Sequence, residues 1–125
     1  MKTSELSGAQ LDWAVARAED KQAKFECGLL FLTTPNITYG DIYRPSEDWE
    51  QGGPIMEREK INIRFITPNA STSPCWAYIS MESDDFNVEG WGDTPLVAAM
   101  RCYVASKLGE EVEIPEEIKE EKSDD

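Results

Sequence analysis

The sequence predicts an α+β domain with two layers, in the order helix, three or four antiparallel strands, helix (αβββα), with both helices on one face of the sheet. The prediction rests on a complete amphipathic helix pattern over residues 94–109, an alternation of apolar and polar side chains over 60–66, and a helix start at 7–10. We expect one domain over residues 1–110, followed by an acidic and disordered C-terminal tail over 111–125.

The first helix is expected to begin at Ser7, because a serine followed three residues later by Gln10 can form a capping box. The apolar periodicity then continues to Glu19. Trp13 lies off the apolar stripe and four residues before Arg17, so two interpretations stay open. Its ring either stacks under the guanidinium at the rim of the core or faces a binding partner.

A first strand, Phe25–Leu32, is predicted from its apolar density, with a bulge at Gly28. Residues 33–53 are rich in Pro, Gly, Asn and Asp, and they are expected to form a long loop that carries several aromatic residues. Gly52-Gly53-Pro54 is expected to end this loop as a turn, before a short strand or turn at Ile55–Glu57. A loop with so much aromatic material is a candidate site.

The second and third strands are predicted at Lys60–Ile66 and Cys75–Met81 and are expected to form a hairpin. The residues of the second strand expected to face the core are Ile61, Ile63 and Phe65. Residues 82–93 are expected to be a polar loop.

The last helix has both of its ends marked in the sequence. Thr94 is a suitable N-cap, Pro95 fits the first helical position, and Gly109 can close the C-terminal end. One side of this helix carries large apolar residues, including Leu96, Met100, Tyr103 and Val104, and the other side carries small ones, including Ala98, Cys102 and Ala105. We expect the large side to pack into the sheet and the small side to lie against a second helix.

The composition restricts the function classes. With 25 acidic and 12 basic residues, the net charge of −13 disfavours direct binding of nucleic acid or of an anionic membrane surface. No apolar run reaches the length of a membrane span, and the first residues do not resemble a signal peptide, so we expect a cytoplasmic protein. The three cysteines are expected to be buried free thiols.

Histidine is absent, which removes Ser-His and Cys-His nucleophile pairs and most zinc sites. Residues 85–90 imitate the first half of a calcium loop, but Gly92 and Leu96 stand where the apolar anchor and the closing glutamate belong. We therefore expect no metal, no cofactor and no catalytic residues. A remote alternative is an enzyme that uses Asp48 and Glu57 as paired carboxylates, brought together by the Gly-Gly-Pro turn.

Three blocks of the sequence, Leu11–Ala16, Tyr43–Glu57 and Thr94–Ser106, resemble the NinX family. These are small proteins of lambdoid and related phages and prophages, encoded in the nin region. The resemblance covers roughly residues 1–115. It implies a phage or prophage accessory protein in the cytoplasm of the bacterial host, and it carries over no catalytic residues.

The leading hypothesis is a non-enzymatic protein that binds a host or phage protein through residues 43–57. Tyrosine, arginine and tryptophan dominate the energetics of protein interfaces. The candidate partner-binding residues are Tyr43, Arg44, Asp48, Trp49, Gly52, Gly53, Glu57, Trp13 and Trp91. The same segment is equally compatible with a loop that packs as part of the fold.

An alternative function is an acidic mimic of nucleic acid that inhibits a host defence or DNA-processing enzyme, motivated by the net charge. Residues 110–125 hold nine acidic residues and two lysines, so about half of that charge lies in the expected tail. The oligomeric state is not fixed by the sequence, and a homodimer is compatible with it.

Overall fold

A computed structural model of the chain describes residues 1–32, 42–65, 75–80 and 87–119. In chain order the elements are a 3-10 turn (Thr3–Glu5), α1 (Gly8–Ala18), β1 (Ala23–Glu26), β2 (Leu29–Leu32), α2 (Trp49–Glu59), β3 (Asn62–Phe65), β4 (Cys75–Ser80), β5 (Asn87–Gly92), α3 (Pro95–Leu108) and a single helical turn, α4 (Glu116–Lys119). The α+β class is confirmed. The αβββα order is not, because an extra hairpin and an extra helix, α2, precede the three-stranded sheet.

The predicted first strand is two strands. β1 and β2 pair antiparallel, with Glu26 opposite Leu29, so the chain reverses within two residues. Cys27 and Gly28 form the turn, with φ angles of 53° and 78°. Two consecutive positive φ angles are typical of the two-residue turns whose twist matches a hairpin. The bulge expected at Gly28 is therefore a reversal of the chain.

The second sheet has the order β3-β4-β5, and the predicted pairing of the second and third strands is confirmed. The loop expected over residues 82–93 is wrong for Asn87–Gly92, which forms β5 and pairs along the whole of β4. The sequence does not predict this strand, because two of its six residues are glycine, which is depleted in strands. Phe65 on β3 is expected to face the core, but it is 72% exposed.

Helix α3 lies between the three-stranded sheet and the two other long helices. Its small face meets β5: a Cβ at Gly90 would lie 2.4 Å from the Ala98 carbonyl oxygen and 2.5 Å from the Cys102 amide nitrogen. Its large face meets α2 and the end of α1, where the Tyr103 hydroxyl contacts Arg58. The burial of α3 on two sides agrees with its sequence, but the assignment of the two faces is reversed.

The consequence for the layers is that α1 does not share the sheet face with α3. α1 packs on α3 and on β2. Among the described residues, no helix has the length and apolar content that a bilayer crossing requires.

The segment after α3 packs against the start of the chain. The Met1 amino group donates to the Val112 carbonyl at 3.0 Å, and the Val112 amide donates to the Met1 carbonyl at 2.9 Å. Ile114 and Ile118 are buried, and Gln10 donates to the Ile118 carbonyl at 3.4 Å. Residues 111–119 therefore differ from the disordered tail expected over 111–125, because their apolar side chains join the core. Residues 120–125 lie outside the described residues.

We predict that Gly90→Ala destabilises the fold by about 1–3 kcal/mol, because the new methyl group overlaps backbone atoms of α3 that cannot rotate away. Gly53→Ala is the matched control. Its Cβ would meet only an ordinary contact of 3.8 Å with the Trp49 ring, and alanine in a helix gains up to about 1 kcal/mol over glycine. Urea denaturation of both variants measures the difference, and equal stability would contradict the close packing of α3 on β5.

Candidate functional site

Most candidate residues lie between β2 and β3 in the chain. The described part of this stretch begins with a turn held by several hydrogen bonds, residues 42–48, which we call the turn segment. Its Tyr43 amide donates to the Leu30 carbonyl on β2 at 2.7 Å. Its Ser46 amide donates to Asp12 Oδ1 on α1 at 2.8 Å. The side chain of Gln51 on α2 bonds the segment twice, at the Arg44 amide (2.7 Å) and the Ile42 carbonyl (2.9 Å). Three neighbouring elements thus hold its backbone.

Residues 49–57 are helical, which corrects the loop predicted over 43–57. Asp48 caps α2: its backbone is extended, and its side chain accepts a hydrogen bond from the Glu50 amide at 3.0 Å. The expected turn at Gly52-Gly53-Pro54 and the expected strand at Ile55–Glu57 are therefore wrong. Proline in a helix interior removes one backbone hydrogen bond, which explains why the sequence pattern favours a turn.

Gly52 has a packing reason to be glycine. A Cβ there would lie 2.3 Å from the Pro45 carbonyl oxygen and 2.8 Å from Leu96 Cδ1 on α3. The absence of a side chain lets α2 approach both the turn segment and α3 at once. Tertiary packing of this kind outweighs the low helix propensity of two adjacent glycines.

The predicted partner-binding residues divide by exposure. Tyr43 and Gly52 are buried, and Asp48 and Gly53 are half-buried. The exposed candidates within residues 43–57 are Arg44, Trp49 and Glu57. Trp49 is the largest of them, with 55% of its surface exposed.

The two other candidate tryptophans lie elsewhere. Trp13 is half-buried, and the Arg17 guanidinium carbon lies 5.6 Å from its ring centre. Trp91 is 41% exposed on the face of the sheet opposite α3, where it stacks on Trp76 at 5.8 Å between ring centroids. Within the described part of the chain, Trp91 makes no hydrogen bond or ring contact with the turn segment or with α2.

Trp49 borders a groove between the first turn of α2 and the first turn of α3. The groove has a volume of about 400 Å³. Its lining residues are Ser46, Glu47, Trp49, Asp93, Thr94, Leu96 and Val97. Leu96 and Val97 of α3 line it together with Trp49, and so do the exposed acids Glu47 and Asp93. Such a groove can accept an apolar side chain of another molecule.

Asp12 is a site residue that the sequence analysis did not single out. Its side chain is 3% exposed, and burial raises the pKa of its carboxyl group to about 7 even though the Ser46 amide hydrogen bond favours ionisation. The Ser46 hydroxyl also lies near this carboxyl, although it makes no hydrogen bond of normal geometry. Helical spacing gave one signal, because Asp12 precedes the buried Ala16 by one turn.

A second polar network joins the ends of the long helices. Glu19, at the end of α1, accepts hydrogen bonds from Arg58 on α2 and from Tyr103 on α3. Burial is the largest single influence on Glu19 and opposes its ionisation, but these hydrogen bonds together outweigh it and lower its pKa. Lys107 lies 3.8 Å from Glu59, which itself pairs with Arg58. This network fixes α2, and with it Trp49, relative to the other helices.

The raised pKa of Asp12 makes a pH-dependent stability effect testable. A protonated Asp12 is retained in the folded chain up to a pH of about 7, whereas an unfolded chain loses that proton near 3.8. The folded state therefore loses up to about 4 kcal/mol relative to the unfolded state as pH rises between these values. Asp12→Asn keeps an acceptor for the Ser46 amide and cannot ionise.

We expect the unfolding free energy of the Asp12→Asn variant, relative to the natural chain, to rise as the pH is raised from about 4 to about 8. Urea denaturation at a series of pH values measures this difference. A difference that does not change with pH would show that Asp12 titrates normally.

Comparison with known families matches the chain over residues 2–107 to the family described as Bacteriophage P22, NinX. A search of curated proteins finds no match. The matched range runs from the 3-10 turn nearly to the end of α3, so it includes the turn segment, the Trp49 groove and Asp12. The chain belongs to the phage NinX family.

Proposed function

We propose that this protein is a non-enzymatic phage or prophage accessory protein that binds a host or phage protein through the turn segment and the first turn of α2. The observation that carries the proposal is Trp49, a tryptophan 55% exposed at the edge of a groove of about 400 Å³. Exposed tryptophans beside apolar depressions are typical of interface hot spots.

The packing of the turn segment supports this proposal. Its backbone is held by hydrogen bonds to β2, α1 and α2. The backbone positions of the exposed residues Arg44 and Glu47, and of Trp49 at the start of α2, are therefore fixed. A surface that is already ordered loses less conformational entropy on binding. The two interpretations of this segment, packed loop and binding surface, are thus compatible.

The charge of the groove indicates the kind of partner. Glu47 and Asp93 line its edge, and Glu50, the residue after Trp49, is also exposed. The whole chain carries a net charge of −13. A complementary surface presents one apolar or aromatic side chain flanked by basic residues. Complementary charge raises the association rate and disfavours acidic partners.

The carboxylates suggested for an enzyme are not arranged as a pair. Asp48 caps the start of α2 and Glu57 lies nine residues further on, which separates them by about 13 Å along the helix axis. We therefore assign Asp48 to capping and Glu57 to the exposed surface of α2. The proposed partner would be met in the cytoplasm of the bacterial host.

We predict that Trp49→Ala lowers the recovery of the partner at least tenfold, which corresponds to a loss of about 1.4 kcal/mol or more in binding free energy. The experiment is a tagged pulldown from infected and uninfected host cells with quantitative mass spectrometry. Phe65→Ala is the matched control, because Phe65 is an aromatic residue 72% exposed on β3, outside the proposed surface.

Equal recovery with the natural chain, Trp49→Ala and Arg44→Ala would contradict this surface. The recovered partners could instead be enzymes that act on nucleic acid. If high salt abolished their capture and Trp49→Ala did not, the acidic mimic would be the better explanation.

A further inference from the structure

A second cavity lies between α1, the β1–β2 hairpin and the turn segment. Its volume is about 210 Å³. The buried residues Asp12, Leu30 and Tyr43 line its inner part, and the exposed residues Gly28, Arg44 and Glu47 stand at its mouth. One water molecule takes about 30 Å³ in the liquid, so the cavity has room for a group of several heavy atoms.

Among the described residues, the acid in this cavity has no cationic partner. None of the ion pairs between these residues includes Asp12, and Ser46 is the only one of them that donates a hydrogen bond to its carboxyl group. Arg44 is close enough to influence the carboxyl electrostatically, but it forms no ion pair with it. Buried carboxylates are normally paired with a cation or fully hydrogen-bonded, because an unpaired buried charge is costly.

We propose that this cavity binds an ammonium or guanidinium group, with the Asp12 carboxylate as its counter-ion and Glu47 as a second acid at the mouth. Two sources can present this chemistry: a lysine or arginine side chain of another protein, or a free polyamine. The site is separate from the Trp49 groove and goes beyond the function proposed above. The two sites share only Glu47 at their borders.

The electrostatic surroundings explain why a cation is the suitable ligand. The pKa of Asp12 is raised to about 7, and burial is the main cause of the rise. The charge of Glu47 also favours the neutral acid, whereas the contacts with Ser46 and the charge of Arg44 favour the ionised form. Tyr43 stays protonated, since burial raises its pKa too, and β2 contributes only the uncharged Leu29 and Leu30 to the cavity. An entering cation favours the ionised carboxylate, so the Asp12 proton is released to solvent and an ion pair replaces a neutral acid.

The test is a titration of the isotope-labelled full chain with spermidine, with N-acetyl-lysine methylamide and with N-acetyl-arginine methylamide, followed by amide shifts in NMR spectra. We expect the largest shifts at Asp12, Tyr43 and Glu47. Because only the ionised carboxylate binds, affinity should be about tenfold higher at pH 8 than at pH 6. This comparison uses the natural chain and needs no variant.

Two variants locate the charge. Asp12→Asn keeps an acceptor for the Ser46 amide and should lose at least about tenfold in affinity together with the pH dependence. Glu113→Gln removes a similar charge from an exposed residue after α3 that lines neither the cavity nor the Trp49 groove, and it should bind within about twofold of the natural chain. Circular dichroism checks that both variants fold. If Asp12→Asn does not fold, Glu47→Gln takes its place in the titration, and it should weaken binding severalfold.

Tighter binding of the two blocked amino acids assigns the site to a side chain of another protein, and tighter binding of spermidine assigns it to a free polyamine. Equal losses in Asp12→Asn and Glu113→Gln, an affinity that does not change with pH, or no shift with any of the three cations would each overturn the proposal. The pulldown with Trp49→Ala reports on the other groove, so the two proposals fail independently.

Discussion

The close contact between the small face of α3 and the two glycines of β5 determines where the other elements can lie. Gly90 and Gly92 leave no room for a Cβ against the backbone of α3 near Ala98. On the other side of α3, Leu96 and Tyr103 lie against α2, and the Tyr103 hydroxyl also reaches the end of α1. These large side chains therefore serve helix packing, and the turn segment is held by α1, α2 and β2 rather than by the three-stranded sheet.

This arrangement explains which parts of the fold the sequence predicts well. The ends of α3 depend on Thr94, Pro95 and Gly109, whose effects are local. Thr94 and Pro95 act as expected, and Gly109 ends the helix with a positive φ of 94°, although its ψ of −168° is not that of the left-handed helix. The pairing of β3 with β4 follows from the apolar pattern of two nearby segments. These predictions succeed because local preferences and tertiary packing agree.

The failures occur where tertiary contacts outweigh local preference. Gly52 and Gly53 favour a turn locally, yet a helix forms because Asp48 caps it and Gly52 permits contact with Leu96. Asp12 is missed for the same reason: only the folded chain places the Ser46 amide against it. Thus the sequence indicates the exposed aromatic part of the candidate surface, but it does not reveal the buried acid beside it.

The hairpin turn between β1 and β2 gives the chain a natural attachment point for a reporter group. Cys75 and Cys102 are buried as predicted, whereas Cys27 is exposed because it lies in the hairpin turn. Burial raises the pKa of the Cys102 thiol to about 12 and also raises that of Cys75. Since the thiolate is the reactive species, a maleimide dye reacts selectively at Cys27. The next residue, Gly28, lies at the mouth of the Asp12 cavity. A fluorophore can therefore be placed beside that cavity without changing the sequence.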